Sequence, residues 1–157
     1  MKNVFAPLVI AVLIASAINQ GLFFLAREVF GEGFSVDLDG TGAQPAFAVL
    51  ALAPAVFTVF QGIVGGVIVA RIALQTARPQ TNWVWLALLG LALSVVPTAF
   101  AAVGVASTFL WLSLMHLVAG ALIIPSVARA LPTEKAGVPK TGAPETGAPE
   151  GFSPAEN

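Results

Sequence analysis

Four long apolar runs dominate the hydrophobic pattern of this 157-residue chain. They cover about residues 4–26, 46–70, 83–105 and 108–128, and none of them contains Asp, Glu, Lys or Arg. A bilayer core about 30 Å thick needs about 20 apolar residues in a helix, so each run predicts a transmembrane helix. Membrane β-strands are excluded because their apolar residues alternate with polar ones. The pattern predicts an all-α, four-span integral membrane protein.

The first run allows a second interpretation. Lys2, the apolar stretch after it and the small residues Ala15-Ser16-Ala17 are also typical of a cleaved secretory signal. The apolar sequence continues to Ala26, which is longer than a typical signal core. Retention of the first helix is therefore favoured, and cleavage stays the alternative.

All but one of the seven basic residues fall on one side of the predicted membrane. The six are Lys2, Arg71, Arg78, Arg129, Lys135 and Lys140. Only Arg27 lies on the other side, where it shares a loop with acidic residues. Because basic residues concentrate on the cytoplasmic side, both termini are expected inside the cell.

Polar and small residues recur at helical spacing along each predicted helix. In the fourth helix, for example, Ser113, His116 and Gly120 are separated by three and four residues. Such stripes predict a four-helix bundle whose polar and small faces meet inside, with the larger apolar side chains toward lipid. We call this inner stripe the polar seam. Its candidate residues, structural or ligand-binding, are Asn19, Gln61, Ser94, Thr98, Ser113 and His116.

The only histidine, His116, has two interpretations. At about 1.5 Å per residue, it lies ~10–12 Å inside the outer boundary, level with Asn19 and Thr98. In the structural interpretation, the neutral ring bonds Asn19 or Thr98 and fixes helix register. In the functional one, it faces a cavity and handles a proton or a ligand. The structural role is favoured because no acidic residue lies at that depth. Gln61, deeper in the bundle, is expected to pair with Ser94.

A GxxxG motif in the second helix, formed by Gly62 and Gly66, permits close approach of another helix. Packing within the bundle is the favoured explanation. Homodimerisation through this face is the alternative.

The composition changes abruptly after the fourth run. Residues 131–157 are rich in Pro and Gly and contain a doubled TGAPE. Such a segment cannot bury enough apolar surface to offset the entropy of ordering. We therefore predict two parts: a bundle over residues 1–130 and a disordered cytoplasmic tail over 131–157.

Composition narrows the function classes further. With 57% hydrophobic residues, 10% charged residues and a net charge of −1, the chain has no basic surface for nucleic acid. The lack of cysteine excludes disulfides and thiolate sites. One histidine is too few for a bis-histidine haem, and the apolar runs hold neither a Schiff-base lysine nor the glutamate of small multidrug exporters. No nucleophile or metal-ligand cluster is apparent, so a non-enzymatic protein is favoured, an enzyme stays an open alternative, and no cofactor or metal is expected.

The segments LSVVPTAF at 93–100 and LSLMHLVAGALIIPSVAR at 112–129 carry a family resemblance. With the Asn19 helix, they make residues 4–130 similar to a family of small four-helix bacterial membrane proteins. That family is classed as a domain of unknown function and is found mostly in high-GC Gram-positive bacteria. The resemblance implies a four-span plasma-membrane protein and no particular activity.

Three hypotheses for function follow. The leading one is a non-enzymatic accessory or interaction component, whose only expected partner is the lipid bilayer and whose protein partner is left open. The alternative is binding or transport of a small or lipophilic solute through the polar seam in the outer half of the bundle. The third, and least supported, makes His116 a general base.

Overall fold

The computed structural model describes residues 2–36, 47–48, 51–101 and 106–134. Each of the four helices in this part of the chain is long and apolar enough to cross a membrane. The elements are α1 (Lys2–Phe30), β1 (Ser35–Val36), β2 (Phe47–Ala48), α2 (Ala53–Leu74), α3 (Pro79–Ala101) and α4 (Ala106–Ala130). The two short strands pair antiparallel, with Ser35 opposite Ala48. The predicted all-α, four-span fold is confirmed.

The first helix, α1, is the best covered of the four. It packs against α2 and α4, while α3 packs against α4 and less extensively against α2. The buried residues of α1 recur every three or four positions, which is the period of one helix face. They include Val4, Leu8, Val12, Ala15, Asn19, Phe23 and Ala26. The helices thus close into a ring, in which the contact between α2 and α3 is the loosest.

The second helix begins later than predicted. Its expected start was residue 46, but it runs from Ala53 to Leu74, since Phe47–Ala48 pair with β1 instead. Pro54 consequently lies in the first turn of α2, where its missing N–H breaks no intrahelical hydrogen bond. The continuous apolar run in the sequence did not show where the strand ends and the helix begins.

The third helix begins earlier than predicted. Pro79 opens it, and the N–H of Asn82, the last residue before the expected start at 83, donates to the carbonyl of Arg78 at 3.0 Å. Proline suits a first helical position because the N–H there has no intrahelical acceptor. The other two helices extend beyond their predicted ranges of 4–26 and 108–128 at both ends.

One end of the bundle carries Arg71, Arg78 and Arg129, and we call it the basic end. There Trp83 is 1% exposed, and its indole N–H donates to the carbonyl of Ile124 at 2.9 Å, which joins α3 to α4.

Contacts at the basic end continue beyond the predicted bundle boundary at residue 130. Leu131 is buried, and the N–H of Gln80 donates to the carbonyl of Pro132 at 3.2 Å. This carbonyl serves one of the N–H groups that a helix start leaves unpaired. Residues 135–157 of the predicted tail lie outside the described residues.

The opposite end, which we call the acidic end, is closed by Glu32. Gly31, with φ +69°, turns the chain back after α1. The hydroxyl of Thr108 and the N–H of Phe34 then donate to Oε1 of Glu32, which joins this turn to α4. Burial raises the pKa of the Glu32 carboxyl, but hydrogen bonds from Ser107, Thr108 and Phe34 together outweigh burial and hold the pKa below its ordinary value.

The two glycines of the GxxxG motif face α1. A Cβ atom added at Gly62 would lie 2.8 Å from Cγ2 of Val12, and one at Gly66 would lie 2.6 Å from Cδ1 of Leu8. These distances fit the packing explanation. A second copy of the chain cannot use this face without displacing α1.

Candidate functional site

A cavity of about 420 Å³ lies between the helices, in the half of the bundle nearer the acidic end. Five of the six candidate seam residues line it: Asn19, Gln61, Ser94, Thr98 and His116. The sixth, Ser113, is not among the lining residues. The rest of the wall is mostly apolar. It comprises Ala53, Pro54, Phe57, Thr58, Gly62, Pro97, Leu112, Met115, Ala119 and Ile123.

In the described part of the chain, the exposed lining residues indicate that the cavity opens sideways, between α2 and α3. Three of its lining residues, Phe57, Gln61 and Pro97, are also exposed, with Phe57 60% exposed. They belong to α2 and α3, whose contact is the loosest of the ring. In a bilayer this opening would face lipid rather than water.

Side chains of α1 hold the start of α2 in place beside the cavity. The hydroxyl of Ser16 donates to the carbonyl of Ala55 at 3.1 Å, and the amide of Gln20 donates to the carbonyl of Ala51 at 2.7 Å. Between them, Nδ2 of Asn19 donates to Oγ1 of Thr58 at 3.0 Å. The polar residues of α1 therefore position the cavity wall formed by α2.

The orientation of the Asn19 amide follows from Thr58. The hydroxyl of Thr58 donates its only hydrogen to the carbonyl of Pro54 at 2.7 Å, so its oxygen can only accept from Asn19. The Oδ1 atom of Asn19 is therefore the amide's acceptor, and no donor in the described part of the chain reaches it. Asn19 is 3% exposed, and a buried polar atom without a partner costs about 1–3 kcal/mol. Thr58 belongs to the same predicted polar stripe of α2 as Gln61, but it was not among the six candidate seam residues.

The two hydroxyl groups of α3 that line the cavity bond within their own helix. Ser94 donates to the carbonyl of Leu91 at 2.7 Å, and Thr98 donates to the carbonyl of Ser94 at 3.1 Å. The expected hydrogen bond between Gln61 and Ser94 is absent among the described residues, and the serine donates to a carbonyl about one turn back instead.

His116 also bonds within its own helix. Its Nδ1 lies 2.7 Å from the carbonyl oxygen of Leu112. Because a carbonyl oxygen only accepts, Nδ1 carries the hydrogen, and Nε2 of the neutral ring keeps a lone pair. The expected bond to Asn19 or Thr98 is absent among the described residues. The structure instead places the half-buried ring in the cavity wall.

Ser113 lies apart from the other five candidates. Its Oγ is buried without a hydrogen-bond partner in the described residues, and it does not line the cavity. The spacing of three residues to His116 placed both on one broad face of α4. It did not show that the cavity occupies only part of that face.

Replacing Asn19 by Leu is expected to leave the stability of the ligand-free protein unchanged or to raise it. The substitution removes the hydrogen bond to Thr58, and such a bond between membrane helices contributes ~0.6–1.7 kcal/mol to stability. It also removes the unpaired Oδ1 atom, whose burial costs about 1–3 kcal/mol. Thermal unfolding in detergent micelles measures the difference, with Ser16→Ala as the control that loses only a satisfied bond. A loss above about 1 kcal/mol for Asn19→Leu would contradict an unpaired Oδ1.

Comparison with known proteins gives one match. The model of a family of unknown function, DUF6069, matches residues 1–133, which include all four helices and the cavity. Neither a curated protein nor a solved structure matches the chain.

Proposed function

This chain belongs to DUF6069, a family of unknown function, and we propose that it is an integral membrane protein that binds a small lipophilic molecule between its helices. The observation that carries the proposal is the cavity of about 420 Å³ with its sideways opening between α2 and α3. Small-molecule sites occupy roughly 300–1,000 Å³ and combine apolar walls with a few polar groups. This cavity has both properties.

The opening favours a ligand that partitions into lipid. Such a molecule reaches Phe57 and Pro97 from the bilayer without crossing water, and its apolar part can contact Met115 and Ile123. Its polar part then lies near His116. Transport would need a second opening toward water, whereas binding needs only the opening between α2 and α3. We therefore propose binding rather than transport.

The accessory or interaction role expected from the sequence stays a prediction. Large apolar side chains are exposed on the outward faces of all four helices, for example Ile10, Phe60, Leu93 and Leu117. Lipid and a partner helix would cover such faces equally well, so they do not favour a protein partner.

We also propose that the basic end faces the cytoplasm of a bacterial cell. Arg71, Arg78 and Arg129 lie at this end, while Arg27 at the acidic end pairs with Glu28 at 3.6 Å. The preference of basic loops for the cytoplasmic side supports this orientation.

Filling the cavity tests the proposed function. Ala119 lines it, so Ala119→Phe is expected to weaken binding of 4-fluorophenol by about tenfold or more, through steric exclusion. Fluorine NMR of the probe in nanodiscs measures binding, with protein-free nanodiscs to subtract partitioning into lipid. Ala121→Phe is the matched control, because Ala121 is exposed on the same helix and does not line the cavity. Equal binding by both variants and the unmodified protein would overturn the proposal.

A further inference from the structure

The hydroxyl groups that line the cavity already donate their hydrogen atoms to backbone carbonyls. Thr58 donates to Pro54, Ser94 donates to Leu91 and Thr98 donates to Ser94, each to a carbonyl of its own helix. A hydroxyl has one hydrogen, so these three side chains can offer a ligand only their oxygen lone pairs.

The two remaining polar side chains of the inner wall present acceptors as well. Among the described residues, Oδ1 of Asn19 has no donor, and a neutral His116 ring keeps a lone pair on Nε2 because Nδ1 donates to Leu112. Of the described lining side chains, only the second amide hydrogen of Asn19 and the amide of Gln61 stay available to donate. Gln61 is exposed at the opening, so the inner wall is rich in acceptors and poor in donors.

We infer that the ligand carries a hydroxyl or N–H group and donates it to Nε2 of His116. This inference rests on the proposed function and names its ligand class: neutral lipophilic alcohols, phenols and N–H compounds. An anion is disfavoured because the lining residues include no Lys or Arg and their hydroxyl hydrogens are used. A cation is disfavoured because no carboxylate lines the wall in the described part of the chain to compensate its burial.

Of the two inner-wall acceptors that hold no hydrogen bond, His116 is the more accessible to an entering ligand. Its ring is half-buried in the wall, whereas Oδ1 of Asn19 lies beneath the surface of a residue that is 3% exposed. The single histidine of the chain thus acts as a polar anchor, with its free nitrogen fixed by the bond between Nδ1 and Leu112.

A matched pair of probes tests the inference. 4-Fluorophenol can donate through its O–H, whereas 4-fluoroanisole has a methoxy group that only accepts. One hydrogen bond predicts that the phenol binds up to about tenfold more tightly than the anisole, after subtraction of partitioning into protein-free nanodiscs. His116→Phe keeps a ring in the wall but removes the acceptor, so it should abolish this preference and leave weak binding of both probes.

The histidine itself gives a second measurement that needs no substitution. Because His116 is the only histidine, nitrogen-15 histidine labelling reports this ring alone. The Nε2 resonance should move on addition of the phenol and stay in place on addition of the anisole.

The outcomes separate this inference from the proposed function. Equal binding of the two probes, still blocked by Ala119→Phe, overturns the donor inference and leaves the cavity as a lipophilic site. A preference that survives His116→Phe, or an Nε2 resonance unmoved by bound phenol, overturns the assignment of His116. Binding of neither probe above partitioning into lipid overturns the proposed function, and the inference with it.

Discussion

Gly66→Leu should destabilise the bundle by about 3 kcal/mol, because it forces a side chain into the packed contact between α1 and α2. Even the first added carbon would lie 2.6 Å from Cδ1 of Leu8, a side chain that is 1% exposed. The rest of the leucine has no space unless α2 moves away from α1. Separation of these helices would also strain the bonds from Ser16, Asn19 and Gln20 to α2.

The adjacent glycine supplies the control. A Cβ atom at Gly65 would have nothing within 4 Å, so Gly65→Leu should be neutral, or stabilising by up to about 1 kcal/mol through helix propensity. Thermal unfolding in detergent micelles, followed by circular dichroism, compares the two variants.

Light scattering on the same samples addresses the dimer alternative. If Gly62 and Gly66 instead formed a homodimer contact, Gly66→Leu would dissociate the dimer and leave the protomer as stable as Gly65→Leu.

The fold was predictable because lipid leaves few choices. An apolar run without charges must satisfy its backbone hydrogen bonds internally, and a helix does this within one segment. The helix starts were not predictable to the same degree. Pro54 and Pro79 both lie in first turns, and the apolar Phe47–Ala48 is compatible with either a helix or a strand.

The sequence predicted which residues line the cavity better than it predicted their hydrogen bonds. Helical spacing identified the faces that bring Asn19, Thr98 and His116 to one cavity. It could not rank the competing acceptors, because a carbonyl three or four residues back is always within reach of Ser, Thr or His in a helix. The volume of the cavity depends on how loosely α2 and α3 pack, and this has no signature in either segment.

The role of Glu32 had no local signal at all. In the sequence it is one of several acidic residues in a glycine-rich loop, and its partner Thr108 lies 76 positions away. A tertiary contact of this kind between a loop and a helix start becomes visible only when the four helices are assembled.

Replacing Glu32 by Ala should destabilise the protein by about 2 kcal/mol at neutral pH, since hydrogen bonds to a charged group contribute about 1.5–3 kcal/mol. Loss of the carboxylate would leave two donors without their acceptor. They are the hydroxyl of Thr108, which is fully buried, and the N–H of Phe34, a buried residue with a φ of +41°. Unfolding should therefore begin at the acidic end. Glu28→Ala is the control, because Glu28 is exposed and its pair with Arg27 is a surface ion pair.

The pH dependence gives the sharper test of Glu32. Its folded pKa lies below the ordinary value of 4.5, so the charged carboxylate stabilises the fold above about pH 4.5, and this contribution is lost as the pH falls through the folded pKa. Melting temperatures measured from pH 7 down to pH 3 should fall for the unmodified protein and for Glu28→Gln. Glu32→Gln should start lower and change less, because an amide in this place does not titrate. Parallel curves for Glu32→Gln and the unmodified protein would show that the carboxylate does not join the turn after α1 to α4 through its charge.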